Sequence, residues 1–182
     1  MTDRLVRHFR AMARNSAWAN DRLLGACEGL DRAAFAAPRT GFFPSLRATL
    51  NHLLAVDVYY LDAIEENGRG LAAFFPHPDF AEPAALRVAQ AEADRRLIGV
   101  CDRLGAEDLD RTVVTLRDPD GRPRERIDAL LAHLFQHQIH HRGQAHAMLA
   151  GTGVAPPQLD EFFLDFDRHP SVAAGGFLPP RN

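Results

Sequence analysis

The chain of 182 residues contains no lysine; all 21 of its basic residues are Arg. This excludes lysine Schiff-base catalysis and any phosphate-binding loop that depends on its lysine. Cysteine is scarce. Only Cys27 and Cys101 occur, far apart and outside any C-x-x-C pair, so there is no disulfide framework and a reduced, cytoplasmic setting is expected. Both lie in Ala/Leu-rich helical patterns and read as buried structural thiols. Long apolar runs are also missing. Nothing approaches the ~18 apolar residues of a membrane-spanning helix, and the charged opening segment, MTDRLVRHFRAMARNSAW, lacks the apolar core of a secretory signal. Neither sign of charge dominates. The formal net charge is −3 and the sequence pI about 6.3, which gives no general drive toward nucleic acid or an anionic membrane. The densest Arg patch, Arg122 to Arg126, reads as a solvated turn and helix start.

What is present is an ordinary globular composition, 46% hydrophobic and 25% charged, enough for one domain with its own core. That domain is expected to span 1–182, with its core over about 3–168 and an extended tail rich in Pro and Gly. Leu5, Phe9, Met12, Ser16, Ala19, Leu23 and Ala26 recur at helical spacing and predict a first helix over about 3–29, ending near Gly29. Residues 38–44, with two Pro and a Gly, predict a loop. Ser45 suits the N-cap of a second helix reaching about Asn67-Gly68, with Leu46, Leu50, Leu53, Leu54, Val58 and Leu61 on its apolar face. An ordered crossover loop over 68–83 is expected, anchored by Phe74, Phe75 and Phe80. A third helix follows from Pro83 to about Gly105. Thr112 to Leu116 is β-prone and Asp118-Pro-Asp-Gly121 is a turn signal, so a hairpin-like excursion is expected before the fourth helix, about 124–150. A short C-terminal helix, about 158–167, carries Leu159, Phe162, Phe163 and Phe166. The class is all-α, and four long amphipathic helices make a four-helix bundle.

The nine histidines are unevenly placed, with five (His133, His137, His140, His141 and His146) inside residues 133–146. His137 and His141, four apart, share one helix face and can place two imidazole nitrogens on one metal ion. A further ligand must come from another element, and His52, on the apolar second helix, is the best candidate. Such a three-His set leaves a position for water or substrate, as catalytic sites do. Imidazoles suit Zn, Ni, Fe or Cu and do not choose among them. Taken alone, His52 reads first as a hydrogen-bonded core histidine. His133, His140 and Gln144 are placed around the site rather than on the metal. His146 faces elsewhere, and His8, His77 and His169 receive no role. Asp57 reads as a solvated carboxylate or one supporting the ligands, and Tyr59 and Tyr60 as packing residues. Gly143, costly inside a helix, implies close approach of another group.

Trp18-Ala-Asn20, Ser45-Leu46-Arg-Ala-Thr49-Leu-Asn51-His52-Leu-Leu and, most specifically, His133-Leu-Phe-Gln-His137-Gln-Ile-His140-His141-Arg142-Gly143-Gln144 resemble the DinB/YfiT-like family over nearly the whole chain. The resemblance implies an up-down-down-up bundle holding a divalent metal, nickel or zinc, on His52, His137 and His141. It also implies a homodimer. Characterised relatives include transferases and isomerases that use low-molecular-weight thiols. The expected function is therefore a metal-dependent, thiol-transferase-type enzyme acting on a small electrophilic substrate, with no nucleic-acid or membrane partner and no assigned general base. Its rivals are a metal-dependent hydrolase, disfavoured because Gln138 stands where H-E-x-x-H would place Glu, and a non-catalytic metal- or ligand-binding stress-response protein.

Overall fold

The computed structural model describes residues 2–77, 79–115 and 123–160. Four long helices carry the fold: α1 (Thr2–Cys27), α3 (Leu46–Ile64), α5 (Pro83–Arg103) and α6 (Ile127–Ala150). Two short helices lie between them, α2 (Arg32–Ala36) and α4 (Leu71–Phe74). A 3-10 turn at Glu107–Asp110 precedes strands β1 (Thr112–Val114) and β2 (Arg124–Arg126). None of these helices is long and apolar enough to cross a membrane.

Local chemistry sets the helix boundaries. The Ser45 hydroxyl accepts from the Ala48 backbone N–H and starts α3, satisfying one of the donors a helix start leaves unpaired. Pro83, tolerated where no N–H is needed, opens α5. α3 ends at Ile64, earlier than expected, because Glu66 turns into a left-handed conformation at φ 55. α6 starts at Ile127 rather than 124 because Arg124–Arg126 pair with β1, with Thr112 opposite Arg126 and Val114 opposite Arg124 in antiparallel register. The two paired strands are those of the expected hairpin; its Asp118–Gly121 turn lies outside the described residues.

Side-chain contacts fix the helix directions. Asn20 meets Asp94 while Arg14 meets Asp102, so α1 and α5 run antiparallel. Thr49 meets Met148 and Tyr60 meets His133, so α3 and α6 are also antiparallel. Phe9 against Phe135 and Asn20 against Arg142 make α1 and α6 parallel. Asp57 with Gln90 and Glu65 with Arg96 make α3 and α5 parallel. The result is the up-down-down-up bundle, and it makes α3 and α6, the two helices bearing the histidines, neighbours across the core.

The core face of α1 is formed by Val6, Phe9, Ala13, Leu23 and Cys27. Of the expected stripe Phe9, Ser16, Ala19 and Leu23 are buried and Met12 and Ala26 pack against the core, but Leu5 is 37% exposed and Val6, at 6%, takes its place. Cys27 and Cys101 are free and buried, and burial pushes both thiols up to about 12. Three further expectations are corrected. In the crossover loop Phe74 and Phe80 pack on the core, but Phe75 stays exposed. Gly143 has nothing within 4 Å of where a Cβ would stand, so close approach does not explain it. Residues 156–160 are not helical, so the expected C-terminal helix does not begin at 158; the rest of that segment lies outside the described residues.

Candidate metal centre

α3 supplies His52, and α6 supplies His137 and His141. Antiparallel packing brings them to one point: one ring nitrogen from each, all within 4.8 Å of one another. His52 Nε2 and His137 Nε2 are 3.1 Å apart. Two imidazole nitrogens bound to one tetrahedral ion at about 2.0–2.1 Å would stand roughly 3.3 Å apart, so the pair fits a shared cation.

Each ring is prepared for that role. His141 Nδ1 lies 2.9 Å from Gln144 Oε1. Because an amide oxygen only accepts, Nδ1 carries the proton and Nε2 keeps its lone pair. The other end of Gln144 donates to His140 Nε2 at 2.9 Å. His137 Nδ1 is buried without a hydrogen-bond partner, so the one such contact of this ring is made at Nε2, the atom aimed at His52. Burial, then the neighbouring His141 and His77, lowers the His52 pKa to about 4. Burial, then four surrounding histidines, lowers that of His137 to about 3. His141 is lowered by burial, against the Gln144 contact. All three are neutral near pH 7, the state a metal ligand must have.

Two loops close over the rings. Arg39 N–H donates to the Pro44 carbonyl at 2.8 Å, folding the α2–α3 loop. A Cβ on Gly41 would meet the methyl at the flexible end of Met148, so this loop lies close against α6. There Phe43 lies 4.4 Å from His52 and 5.5 Å from His141, centroid to centroid. The described part of the α3–α5 crossover is tied to α3 by hydrogen bonds at both ends. Asp62 accepts from Gly70 N–H at 2.9 Å, where the glycine has φ 52 and ψ −127, a conformation that excludes side chains. Asn51, adjacent to His52, both accepts from and donates to the Phe80 backbone. This crossover places Phe74 6.2 Å and His77 6.0 Å from the His52 ring. The sequence alone assigns His77 no role; the signal that could have found it is its place in Phe74-Phe75-Pro76-His77, next to a ring that adjoins His52. His133 stacks 6.2 Å from His137 and meets Tyr60 edge-on. His146 faces away, 2.9 Å from the Pro157 carbonyl.

With the bundle and its three-His cluster in view, comparison with known proteins decides the family. A model of the DinB family matches residues 1–169. The chain belongs to the DinB family. Two solved DinB-like proteins share the fold. One, from Bacillus cereus ATCC 10987, is 14% identical with a TM-score of 0.62, covering 80% of this chain and 91% of that one. The other, YjoA from Bacillus subtilis, is 19% identical with a TM-score of 0.57, covering 86% and 96%. Comparison with curated proteins finds no match.

Behind the histidines, this DinB-family bundle carries a buried polar network that the sequence reading missed. Arg142 donates to Ser16 Oγ at 2.6 Å and Asn20 Oδ1 at 3.0 Å. Ser16 bonds Gln138, Asn20 donates to Asp94, and Gln90 donates to both Asp57 and Asp94. Asp57 is thus no solvated carboxylate; it is 1% exposed. Burial and the Asp94 charge raise its pKa to about 7, while burial raises Asp94 to about 6 and lowers Arg142 to about 10. Gln138 and Arg142 each follow a site histidine on α6. The network therefore fixes the rotation of the helix that presents His137 and His141.

Proposed function

We propose that this DinB-family protein is a metal-dependent enzyme of thiol-transferase type, with His52, His137 and His141 as the ligands of one divalent ion, nickel or zinc. The observation that carries the reading is the composition of the site. Among the described residues, the groups that act electrostatically on His52 and His137 are other histidines, with no carboxylate among them. A bound ion in that setting keeps its full charge and lowers the pKa of a coordinated thiol.

The chain's residues supply the remaining functions. Gln144 holds the His141 tautomer. Phe43 and Phe74 cover the rings and limit the approach of water. His133 and His140 flank His137 and His141 and can orient a small thiol or an electrophile. Hydrolysis is less well supported, because Gln138 hydrogen-bonds Ser16 in the core and, among the described residues, no carboxylate acts on His52 or His137 as a base would. The reading extends to a homodimer. Ala132, Gln136, Ile139, Gly143 and Ala147 form an exposed, charge-free face of α6 suited to a second copy.

The test supplies low-molecular-weight thiols and electrophiles to metal-loaded protein and to His141→Ala. Metal-dependent conjugation that His141→Ala abolishes supports the reading. Absence of conjugation with every thiol, alongside tight metal binding, would instead favour a binding protein without turnover.

A further inference from the structure

The exposed aromatic rings of this protein are not scattered. Among the described residues the large hydrophobic side chains left exposed are Leu5, Phe42, Phe75, Val88 and Ile139. Two are aromatic, Phe42 at 77% and Phe75 at 54% exposure, and both sit at the histidine cluster. Phe42 lies 6.5 Å from His141 and meets Phe43 edge-on at 5.0 Å, and Phe43 covers His52. Phe75 meets Phe74 edge-on at 4.7 Å and His77 at 5.0 Å, and both of those rings adjoin His52. Each exposed phenyl is thus at most one ring removed from a site imidazole, and the two come from different loops, both pinned by the hydrogen bonds described above.

Two phenyl rings exposed beside one site offer apolar surface whose burial under a ligand is favourable. Their edge-to-face partners leave ring surface for a further aromatic group. The charge of the centre defines the other end of the ligand. Three neutral imidazoles bring no negative charge to a divalent ion, so its electrostatic complement is an anionic donor.

We propose that Phe42 and Phe75 form a specificity rim that binds the aromatic ring of a small ligand whose anionic donor group occupies the open position of the metal centre. This rests on the metal reading above and goes beyond it by naming a substrate class: flat aromatic molecules bearing a thiolate, carboxylate or similar anionic head. The two phenylalanines are specificity residues and take no part in holding the ion.

The test compares two probes with the same chelating head, benzohydroxamate and acetohydroxamate, on cobalt-loaded protein, with affinity read from the cobalt absorption band. The aromatic probe is expected to bind roughly tenfold more tightly to the natural protein. That preference should shrink several-fold in Phe42→Ser and Phe75→Ser and nearly vanish in the double variant. Cobalt content should stay unchanged, and because both rings are exposed the substitutions open no core cavity. An aromatic preference unchanged by the variants overturns the proposal, as does cobalt uptake with neither hydroxamate binding. A change in sedimentation with no change in probe affinity also overturns it and assigns the rings to contact between copies. Failure to take up cobalt overturns the metal reading itself, so the two failures are distinguishable.

Discussion

Arg142→Met removes the one guanidinium from the polar network behind the histidines. Arg142 is 6% exposed and faces two buried carboxylates, Asp57 and Asp94. Removing one partner of such a buried charge network costs about 3–5 kcal/mol, because the remaining charge has no compensation. Two hydrogen bonds, to Ser16 and Asn20, go with it. For a chain of this size the loss corresponds to a fall of about 6 to 20 °C in melting temperature, a large share of a total stability of about 5–15 kcal/mol. The cost should depend on pH. Without Arg142 the carboxyl groups ionise still less readily in the folded state. A carboxyl whose folded pKa is raised stabilises fully below its unfolded value, near 3.8, and that stability is lost as pH rises through the folded value. The penalty should therefore be larger at pH 8 than at pH 5, and adding Asp57→Asn should recover part of it. Urea unfolding of the single and double variants at both pH values is the assay. A loss below about 1 kcal/mol, or one independent of pH, would refute the reasoning.

Other consequences are as direct. Asp57→Asn alone removes a carboxyl held near 7 in the folded state, so between pH 5 and 8 it should gain on the natural protein by up to about 1.4 kcal/mol per pH unit, measured by urea unfolding. Gly143→Ala fills an exposed helical position with open space around it and should stabilise by roughly 1 kcal/mol, seen as a raised melting temperature. Gln144→Ala frees the His141 ring and should weaken metal binding about 10- to 100-fold by competition titration, with little effect on the metal-free melt.

The long helices were legible because three- and four-residue spacing, Ser45 and Pro83 state both face and boundary locally. The first hairpin strand was legible because β-prone Thr112 to Val114 precede a strong turn; the second, Arg124–Arg126, was not, because its residues are not β-prone and only pairing with β1 draws them out of the helix. The first core position of α1 was not legible either. Leu5 and Val6 are adjacent apolar residues, and only the partner helix decides which is buried. The i, i+4 pair His137 and His141 pointed to the site from within one helix, His52 on the apolar second helix was the best further candidate, and the family resemblance implied the same three. His77 and the Asp57–Arg142 network were not legible. His77 reaches His52 through a loop fold set by Asn51 and Asp62. Asp57, Asp94 and Arg142 come from three helices, and in the sequence each looks like an ordinary surface charge. Burial together is what gives them meaning, and no local pattern encodes it.

The central claim is that His52, His137 and His141 hold one metal ion. Metal content per chain, measured by elemental analysis after reconstitution and desalting, tests it most directly in the natural protein and in His137→Ala. The account predicts about one divalent ion per chain in the former and near-complete loss in the latter. No stoichiometric ion in the natural protein, or an undiminished content in His137→Ala, would contradict it.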